Sequence, residues 1–237
     1  MNCFQKYLFL LLITIFFAFI ISCKKETEDP VDVGYDYFPV NIGHWVTYEV
    51  DSVVLDNFYP VGHPLHMRTY HYDIKEEIES EFYDNEGRLT QRLVRYQKSG
   101  DTSDWFLKDV WVMNRTTRTA EKVEENYRYI KLAFAIEDGC LWNGNAFNSL
   151  DEQDYEYDDV FKPATVNGIT FDSTVTVKQK IDSNVIEAFN QYEIFAKKVG
   201  LVYKRYRELH VFFSDTSAHK DTLLTDYTYR IITYGNN

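Results

Sequence analysis

Hydrophobic positions recur at every second residue over most of this chain. The clearest run is YHYDIKEEIESEF, at positions 70–82. Tyr72, Ile74 and Ile78 fall on one face of that run, and the alternate positions are all polar. A period of two predicts an antiparallel strand with one buried face. Glu76 is the one charged residue on the apolar face, and we interpret it as a β-bulge or as the edge of the sheet.

Similar runs continue to the end of the chain, separated by turn residues. They are WVTYEVDSV, RYIKLAFAI, TVTVKQKID, LVYKRYRELHVFF and YTYRIITY. In the first of them, Val46, Tyr48 and Val50 alternate with polar residues. The segment TAEKVEENYRYI has the propensity for a few helical turns, but it continues without a break into a strand-like run.

About eight to ten strands without alternating helices predict an all-β domain. Because an open sheet of this size must curl or cover its edges, we expect a single antiparallel, strongly curved sheet in the form of a half-open barrel. A two-sheet sandwich is the alternative. Little helix is expected beyond the N-terminal leader.

The leader itself breaks the pattern. Lys6 is its single charge, and positions 7–22 form a sixteen-residue stretch without any charged residue. A helix that spans a bilayer needs about 20 apolar residues, so this stretch is short for a permanent span. A positive start, an apolar middle and a small residue at the end are typical of a secretory signal peptide. We therefore expect a signal peptide at 1–22, a lipidated flexible tether at 23–36 and an antiparallel β domain at 37–237.

The end of the leader carries a second signal. Ile20, Ile21, Ser22 and Cys23 stand in the order of the lipobox and resemble the signal of bacterial lipoproteins. The resemblance implies cleavage between Ser22 and Cys23 and attachment of diacylglycerol, with fatty chains such as palmitate, to the Cys23 thiol. Two or more acyl chains hold a protein durably on a membrane. The predicted partner is thus a membrane, reached through the N-terminal lipid. The residue after Cys23 is not Asp, which favours the outer membrane and leaves the leaflet open.

A wider resemblance covers most of the remaining chain. The phrases YFPVNIGHWVTYEVDSV, LWNGNAFNSL and YEIFAKKVGLVYKRYREL together are similar to a group of bacterial envelope lipoproteins. That group pairs an early Phe-Pro, Gly, Trp and Val-Asp-Ser pattern with a late Val-Gly-Leu-Val. The resemblance implies an envelope location and no particular reaction.

Charge and cysteine content narrow the function classes. The net charge of −12 disfavours nucleic acid as a partner, since a phosphate backbone attracts basic surfaces. Cys3 leaves with the leader and Cys23 takes the lipid, so only Cys140 remains in the domain. The mature chain then forms no internal disulfide and depends on its core. We interpret Cys140 as a buried, inert residue.

Two segments carry candidate metal ligands. His63, His66 and His71 are close in sequence, and the stretch DEQDYEYDDV at 151–160 is rich in acids. Neither has the spacing of a known metal site, so we expect solvated histidines and a solvated acidic edge, with no metal and no cofactor. If 151–160 is a strand, its acids share one face and Tyr155 and Tyr157 pack on the other.

The aromatic content allows two roles. The chain has 19 tyrosines and 17 phenylalanines, which suit a β core and also suit a sugar-binding or lipid-binding face. No catalytic motif is present, and no catalytic residue is predicted. We expect a non-enzymatic, membrane-anchored envelope lipoprotein at the outer membrane that binds or carries a hydrophobic small molecule, a glycan or an envelope protein. The alternative is an envelope hydrolase that cleaves glycans through paired carboxylates.

Overall fold

The computed structural model describes residues 32–56, 66–100, 104–213 and 220–237. Ser22, Cys23 and His63 lie outside these ranges. Val33–Asn237 forms one compact unit. Within the described ranges, no helical segment has the length and apolar character that crossing a bilayer needs.

A single turn of 3₁₀ helix at Tyr35–Tyr37 precedes twelve strands. The strands are β1 (His44–Asp56), β2 (His66–Tyr83), β3 (Leu89–Lys98), β4 (Phe106–Arg115), β5 (Thr119–Glu124), β6 (Tyr127–Ala133), β7 (Leu141–Asn143), β8 (Asp154–Val166), β9 (Ile169–Ser183), β10 (Glu187–Ala196), β11 (Gly200–Phe213) and β12 (Lys220–Asn236).

All twelve strands belong to one antiparallel sheet with the order β6-β5-β4-β3-β2-β1-β12-β11-β10-β9-β8-β7. Each strand pairs with its neighbours in sequence, except that the first strand pairs with the last and β6 does not pair with β7. The sheet nearly closes into a barrel with one open seam, which confirms the predicted single curved sheet over the sandwich.

The seam between β6 and β7 is bridged at one end by hydrogen bonds. The Ile130 amide donates to the Gly144 carbonyl at 2.9 Å, and the Trp142 indole donates to the Ile130 carbonyl at 3.0 Å. The Tyr157 hydroxyl on β8 reaches over β7, donating to the Ala133 carbonyl at 2.8 Å and accepting from the Ala133 amide at 2.9 Å. These bonds satisfy polar groups that an open edge would otherwise expose.

The interior is divided along the barrel into an apolar end and a polar end. On β11, Val202 is fully buried in the apolar cluster, while Lys204 and Tyr206 point toward the polar end. On β12, Ile231 likewise belongs to the apolar cluster, and Tyr227 points toward the polar end. The apolar end is built from Tyr37, Phe38, Val46, Tyr48, Val50, Ile74, Ile78, Leu93, Met113, Ala120, Leu132, Ile136, Tyr155, Tyr157, Val166, Phe171, Val175, Val177, Phe195, Ala196, Val199, Val202 and Ile231.

The N-terminal segment closes the apolar end. Tyr37 and Phe38 are 1% and 5% exposed and belong to the core cluster. The Val33 carbonyl accepts a hydrogen bond from the Ile136 amide at 3.2 Å. Gly34 has φ of 91°, and a Cβ there would lie 2.6 Å from Ile136 Cδ1, so only glycine fits this entry. The chain therefore enters the domain at the apolar end, away from the polar interior.

Two local predictions are settled by the strand pairing. The helical alternative for TAEKVEENYRYI is wrong, since β5 and β6 form a hairpin that turns at Glu125 and Asn126, both with positive φ. The interpretation of Glu76 as a bulge or sheet edge is also wrong. Glu76 pairs in regular register with Val46 and Arg95 near the middle of the sheet, and its side chain points inward.

Candidate functional site

The polar end of the barrel interior opens into a cavity of about 400 Å³. A second cavity of about 220 Å³ adjoins it and shares five of its lining residues. The shared residues are Glu124, Tyr129, Lys204, Tyr206 and Tyr227. We call the two together the tyrosine cavity.

Seven charged side chains separate the tyrosine cavity from the apolar core. Each is exposed by 14% or less. We call this set the charged floor; it consists of Glu76, Arg95, Lys122, Glu124, Lys131, Glu193 and Lys204. A void of about 60 Å³ lies beneath it, lined by Ile78, Leu93 and Met113 together with four members of the floor. The floor is thus in contact with the hydrophobic core on one side and with the cavity on the other.

Glu76 is the centre of one half of the floor. Its two oxygens accept hydrogen bonds from Arg95 Nε at 2.9 Å and from Lys122 Nζ at 2.8 Å. Arg95 also donates from one Nη to both oxygens of Asp109, each at 3.0 Å, and its guanidinium lies 3.5 Å from the centre of the Trp111 ring. Charge-assisted bonds of this length, together with the aromatic contact, hold the guanidinium in one orientation.

The other half of the floor spans the interior between opposite walls. Lys131 on β6 donates to Glu193 Oε1 on β10 at 2.7 Å, and Lys204 on β11 lies 3.2 Å from the same oxygen. Glu124 on β5 lies 3.4 Å from both ammonium groups. Two of these ion pairs, Lys131–Glu193 and Lys204–Glu124, join the β5–β6 wall to the β10–β11 wall, and these walls share no ladder.

A break in strand pairing lies beside Lys131. The register between β5 and β6 shifts after Ala120, so that Leu132 and Ile130 have partners on β5 and Lys131 has none in the ladder. Alternation from Tyr129, which lines the cavity, points Lys131 inward. The bulge turns Leu132 inward as well, since these two consecutive residues are 4% and 0% exposed. A cation of the floor therefore lies directly beside a residue of the apolar core.

Tyrosines form the wall above the floor. The rings of Tyr206 and Tyr227 stack at 4.8 Å with 5° between their planes, and Tyr229 follows at 5.8 Å from Tyr227. The Tyr229 hydroxyl accepts from Arg95 Nη2 at 3.4 Å, and the Tyr206 hydroxyl donates to the Glu208 carboxylate. Burial raises the pKa of Tyr227 and Tyr229, so these hydroxyls stay neutral.

The floor carboxylates remain ionised despite their burial. Burial alone raises the pKa of Glu76, but Lys122 and Arg95 bring it below its usual value. Burial likewise opposes ionisation of Glu124 and Glu193, and Lys131 and Lys204 lower the pKa of both. Burial lowers the pKa of Lys204, yet the carboxylates of Glu124 and Glu193 raise it well above its usual value. All these groups are therefore charged at neutral pH.

Of the three histidines that the sequence suggested as metal ligands, only the His71 side chain lies in the described part of the chain. His71 is exposed, and its imidazole Nδ1 lies 2.8 Å from Asp51 on the outer face, which confirms a solvated position for this histidine. The side chains of His63 and His66 lie outside the described part of the chain. Among the residues that the structure does describe, no three His, Cys, Asp or Glu side chains are grouped to hold a metal ion.

The acidic segment 151–160 and Cys140 have ordinary structural roles. Tyr155 and Tyr157 are 4% and 1% exposed in the core, while Asp158 on the opposite face pairs with Lys178 at 2.6 Å. The predicted division of this segment into a buried tyrosine face and a solvated acidic face is confirmed. Cys140 is a free thiol, partly buried against the apolar core.

Sequence reasoning missed the charged floor, although a signal was present. Glu76 is a charged residue on the apolar face of an otherwise regular strand pattern. Glu193 is a second charged residue of this kind. It lies within AFNQYEIFA, where Phe189 and Phe195 are on the same inward face of the strand. A charge at an inward position of two different strands was the observable sign of a buried ionic cluster.

The chain was compared with protein-family profiles and with curated proteins. The chain matches none of the known protein-family profiles, and no curated protein shows significant similarity to it.

The depressed carboxylate pKa values predict acid sensitivity. The floor carboxylates bind protons more weakly in the folded state than in the unfolded state, where a glutamate has a pKa of about 4.3. Their contribution to stability is therefore full above about pH 5 and is lost as the pH falls below it. Urea unfolding between pH 7 and pH 3 should show this loss, and it should be smaller in Glu193→Gln.

Glu193→Gln should also lower the free energy of unfolding at pH 7 by about 3–5 kcal/mol, because it leaves buried cations under-compensated. The matched control is Glu79→Gln, which breaks an exposed ion pair with Arg92 and should cost about 0–1 kcal/mol. Equal pH slopes for wild type and Glu193→Gln would contradict the assignment.

Proposed function

We propose that this protein is a lipid-anchored envelope protein that binds a glycan in the tyrosine cavity without cleaving it. The observation that carries the proposal is the open cavity of about 400 Å³ at one end of the barrel, which is lined by aromatic rings together with charged side chains. Ligand pockets are commonly 300–1,000 Å³, and they combine aromatic surface with a few fixed polar groups. The tyrosine wall and the charged floor supply both.

A sugar ring suits this lining better than other small molecules do. Its C–H face packs on an aromatic ring, and its hydroxyls both donate and accept hydrogen bonds. The stacked pair Tyr206 and Tyr227 offers aromatic surface, while Lys204 and Glu124 offer a donor and an acceptor beside it. Because the floor side chains hold one another in place, a ligand would meet groups that are already oriented.

A hydrophobic ligand fits the interior less well. The apolar end is filled by side chains such as Val50, Ile74 and Val177, each with 0% exposure. The void beneath the floor is about 60 Å³, far below the volume of an acyl chain or a drug-sized molecule. An apolar molecule in the tyrosine cavity would remove water from the charged floor without replacing its hydrogen bonds, which is unfavourable.

The electrostatics favour binding over glycan hydrolysis. Glycoside hydrolysis uses a carboxylic acid whose pKa is raised so that it holds a proton near neutral pH. The pKa values of Glu76 and Glu124, which line the cavity, and of the fully buried Glu193 are lowered, and all three carboxylates are in ion pairs. They are arranged to accept hydrogen bonds and to hold cations.

The anchor rests on the leader. The lipobox-like order that ends at Cys23 supports lipidation and an outer-membrane location.

The glycan proposal predicts binding on a glycan array probed with the full chain purified in detergent. Tyr206→Ala should weaken the binding about tenfold or more, because it removes half of the stacked pair. Tyr83→Ala, at a tyrosine that is 74% exposed, is the control and should bind as wild type. Failure to bind any glycan would refute the proposal, and release of new reducing ends would replace it with the hydrolase alternative.

The anchor proposal predicts that Cys23→Ala releases the protein from membranes. Wild type should fractionate with the outer membrane, and its N-terminal peptide should carry the mass of a diacylglyceryl cysteine. The variant should lose both properties, because no other acyl attachment is predicted. An unmodified Cys23 in the wild-type protein would contradict the assignment.

A further inference from the structure

We infer that the glycan bound by the tyrosine cavity carries an anionic substituent on its ring, and that Lys204 receives this group. The inference rests on the proposed function and narrows it to acidic sugars. Four observations carry it: the charge balance of the floor, the contacts of Lys204, its access to the cavity and the stacked tyrosines beside it.

The charged floor has an excess of one cation. Its cations are Arg95, Lys122, Lys131 and Lys204, and its carboxylates are Glu76, Glu124 and Glu193. Asp109 also binds Arg95 and adds one negative charge. Lys108 Nζ lies 2.9 Å from Asp109 and adds one positive charge, so the excess of one cation is unchanged. At the rim, Glu125 is exposed and Glu208 is half-buried and bonded to His210, so water screens the charges there. This local excess stands against a net charge of −12 for the whole chain.

Lys204 is the least closely held cation of the floor. Lys122 and Lys131 lie 2.8 Å and 2.7 Å from their carboxylate partners. In the described part of the chain, the carboxylate contacts of Lys204 are 3.2 Å to Glu193 and 3.4 Å to Glu124. The Glu193 oxygen is the one that Lys131 already holds. A charge-assisted N–H···O bond is usually 2.7–2.9 Å, so Lys204 retains the capacity for a closer anion.

Lys204 also faces the ligand. It lines both parts of the tyrosine cavity and keeps 13% of its side chain exposed. Its Nζ lies 5.9 Å from the centre of the Tyr227 ring, which stacks on Tyr206. A sugar ring packed on this pair would place a ring substituent within reach of the ammonium. The raised pKa of Lys204 keeps that group protonated over the physiological range.

A carboxylate and a phosphate satisfy this geometry equally, because both present oxygen acceptors and a negative charge. The test therefore uses matched rings that differ in one substituent. The probes are D-glucuronic acid, D-galacturonic acid, D-glucose 6-phosphate, D-glucose and D-galactose. Each is titrated against the full chain in detergent, and its dissociation constant is measured by ligand-observed NMR.

We expect at least one anionic sugar to bind about 10- to 100-fold more tightly than its neutral parent, as a charge-assisted hydrogen bond implies. Lys204→Met should abolish this preference, so that anionic and neutral rings bind the variant equally. Lys178→Met, at the outer-face pair with Asp158, should keep the preference. If only the uronic acids bind tightly, the site takes a carboxylate. If only glucose 6-phosphate binds tightly, the site takes a phosphate.

Equal affinity for anionic and neutral rings would overturn the inference and leave the glycan proposal intact. Failure of all five sugars to bind would also overturn the inference that the ligand is an acidic sugar. The glycan array tests the proposed function separately. If Lys204→Met does not fold, the comparison of anionic and neutral rings on the wild-type protein carries the test alone.

Discussion

The constraint on which the site depends is that charged side chains buried inside a β barrel need partners of opposite charge. Each ion removed from water costs several kcal/mol unless partners replace its hydration. Glu76 meets this requirement with Arg95 and Lys122, and Glu193 meets it with Lys131 and Lys204. Arg95 and Lys204 reach these carboxylates from adjacent strands, but Lys122 and Lys131 reach them from strands that are distant in the sheet, so the curvature of the sheet completes the cluster.

The architecture around the floor follows from this constraint. Apolar side chains fill most of the barrel below the floor. Above it, where water and a ligand have access, the lining is made of tyrosines and polar side chains together with a few apolar residues such as Trp111 and Leu201. The bulge beside Lys131 leaves both Lys131 and Leu132 facing inward, so that the floor and the apolar core meet at consecutive residues. Such a network is weak evidence for stability, because apolar residues of the same volume stabilise a core equally well. Its retention therefore suits a binding surface that must stay polar and oriented.

The sequence was sufficient for the architecture and insufficient for the site. The alternation of Val46, Tyr48 and Val50 predicted a half-buried strand, and many such runs without helices predicted the single curved sheet. The site required contacts that no periodicity encodes. Lys131 and Glu193 are 62 residues apart, and Glu124 and Lys204 are 80 apart, so their pairing is a property of the closed barrel. Glu76 was visible as a charged residue on an apolar strand face, but within a single strand a β-bulge explains such a residue equally well.

The most direct test of this account is the free energy of unfolding of a variant with an apolar floor. In it, Glu76, Glu124 and Glu193 become Leu, and Arg95, Lys122, Lys131 and Lys204 become Met. If the buried charges serve the cavity, the variant should fold and match or exceed the wild type in stability, as measured by urea unfolding at pH 7. A loss of more than about 3 kcal/mol would show that the charges hold the fold together, and would contradict the account.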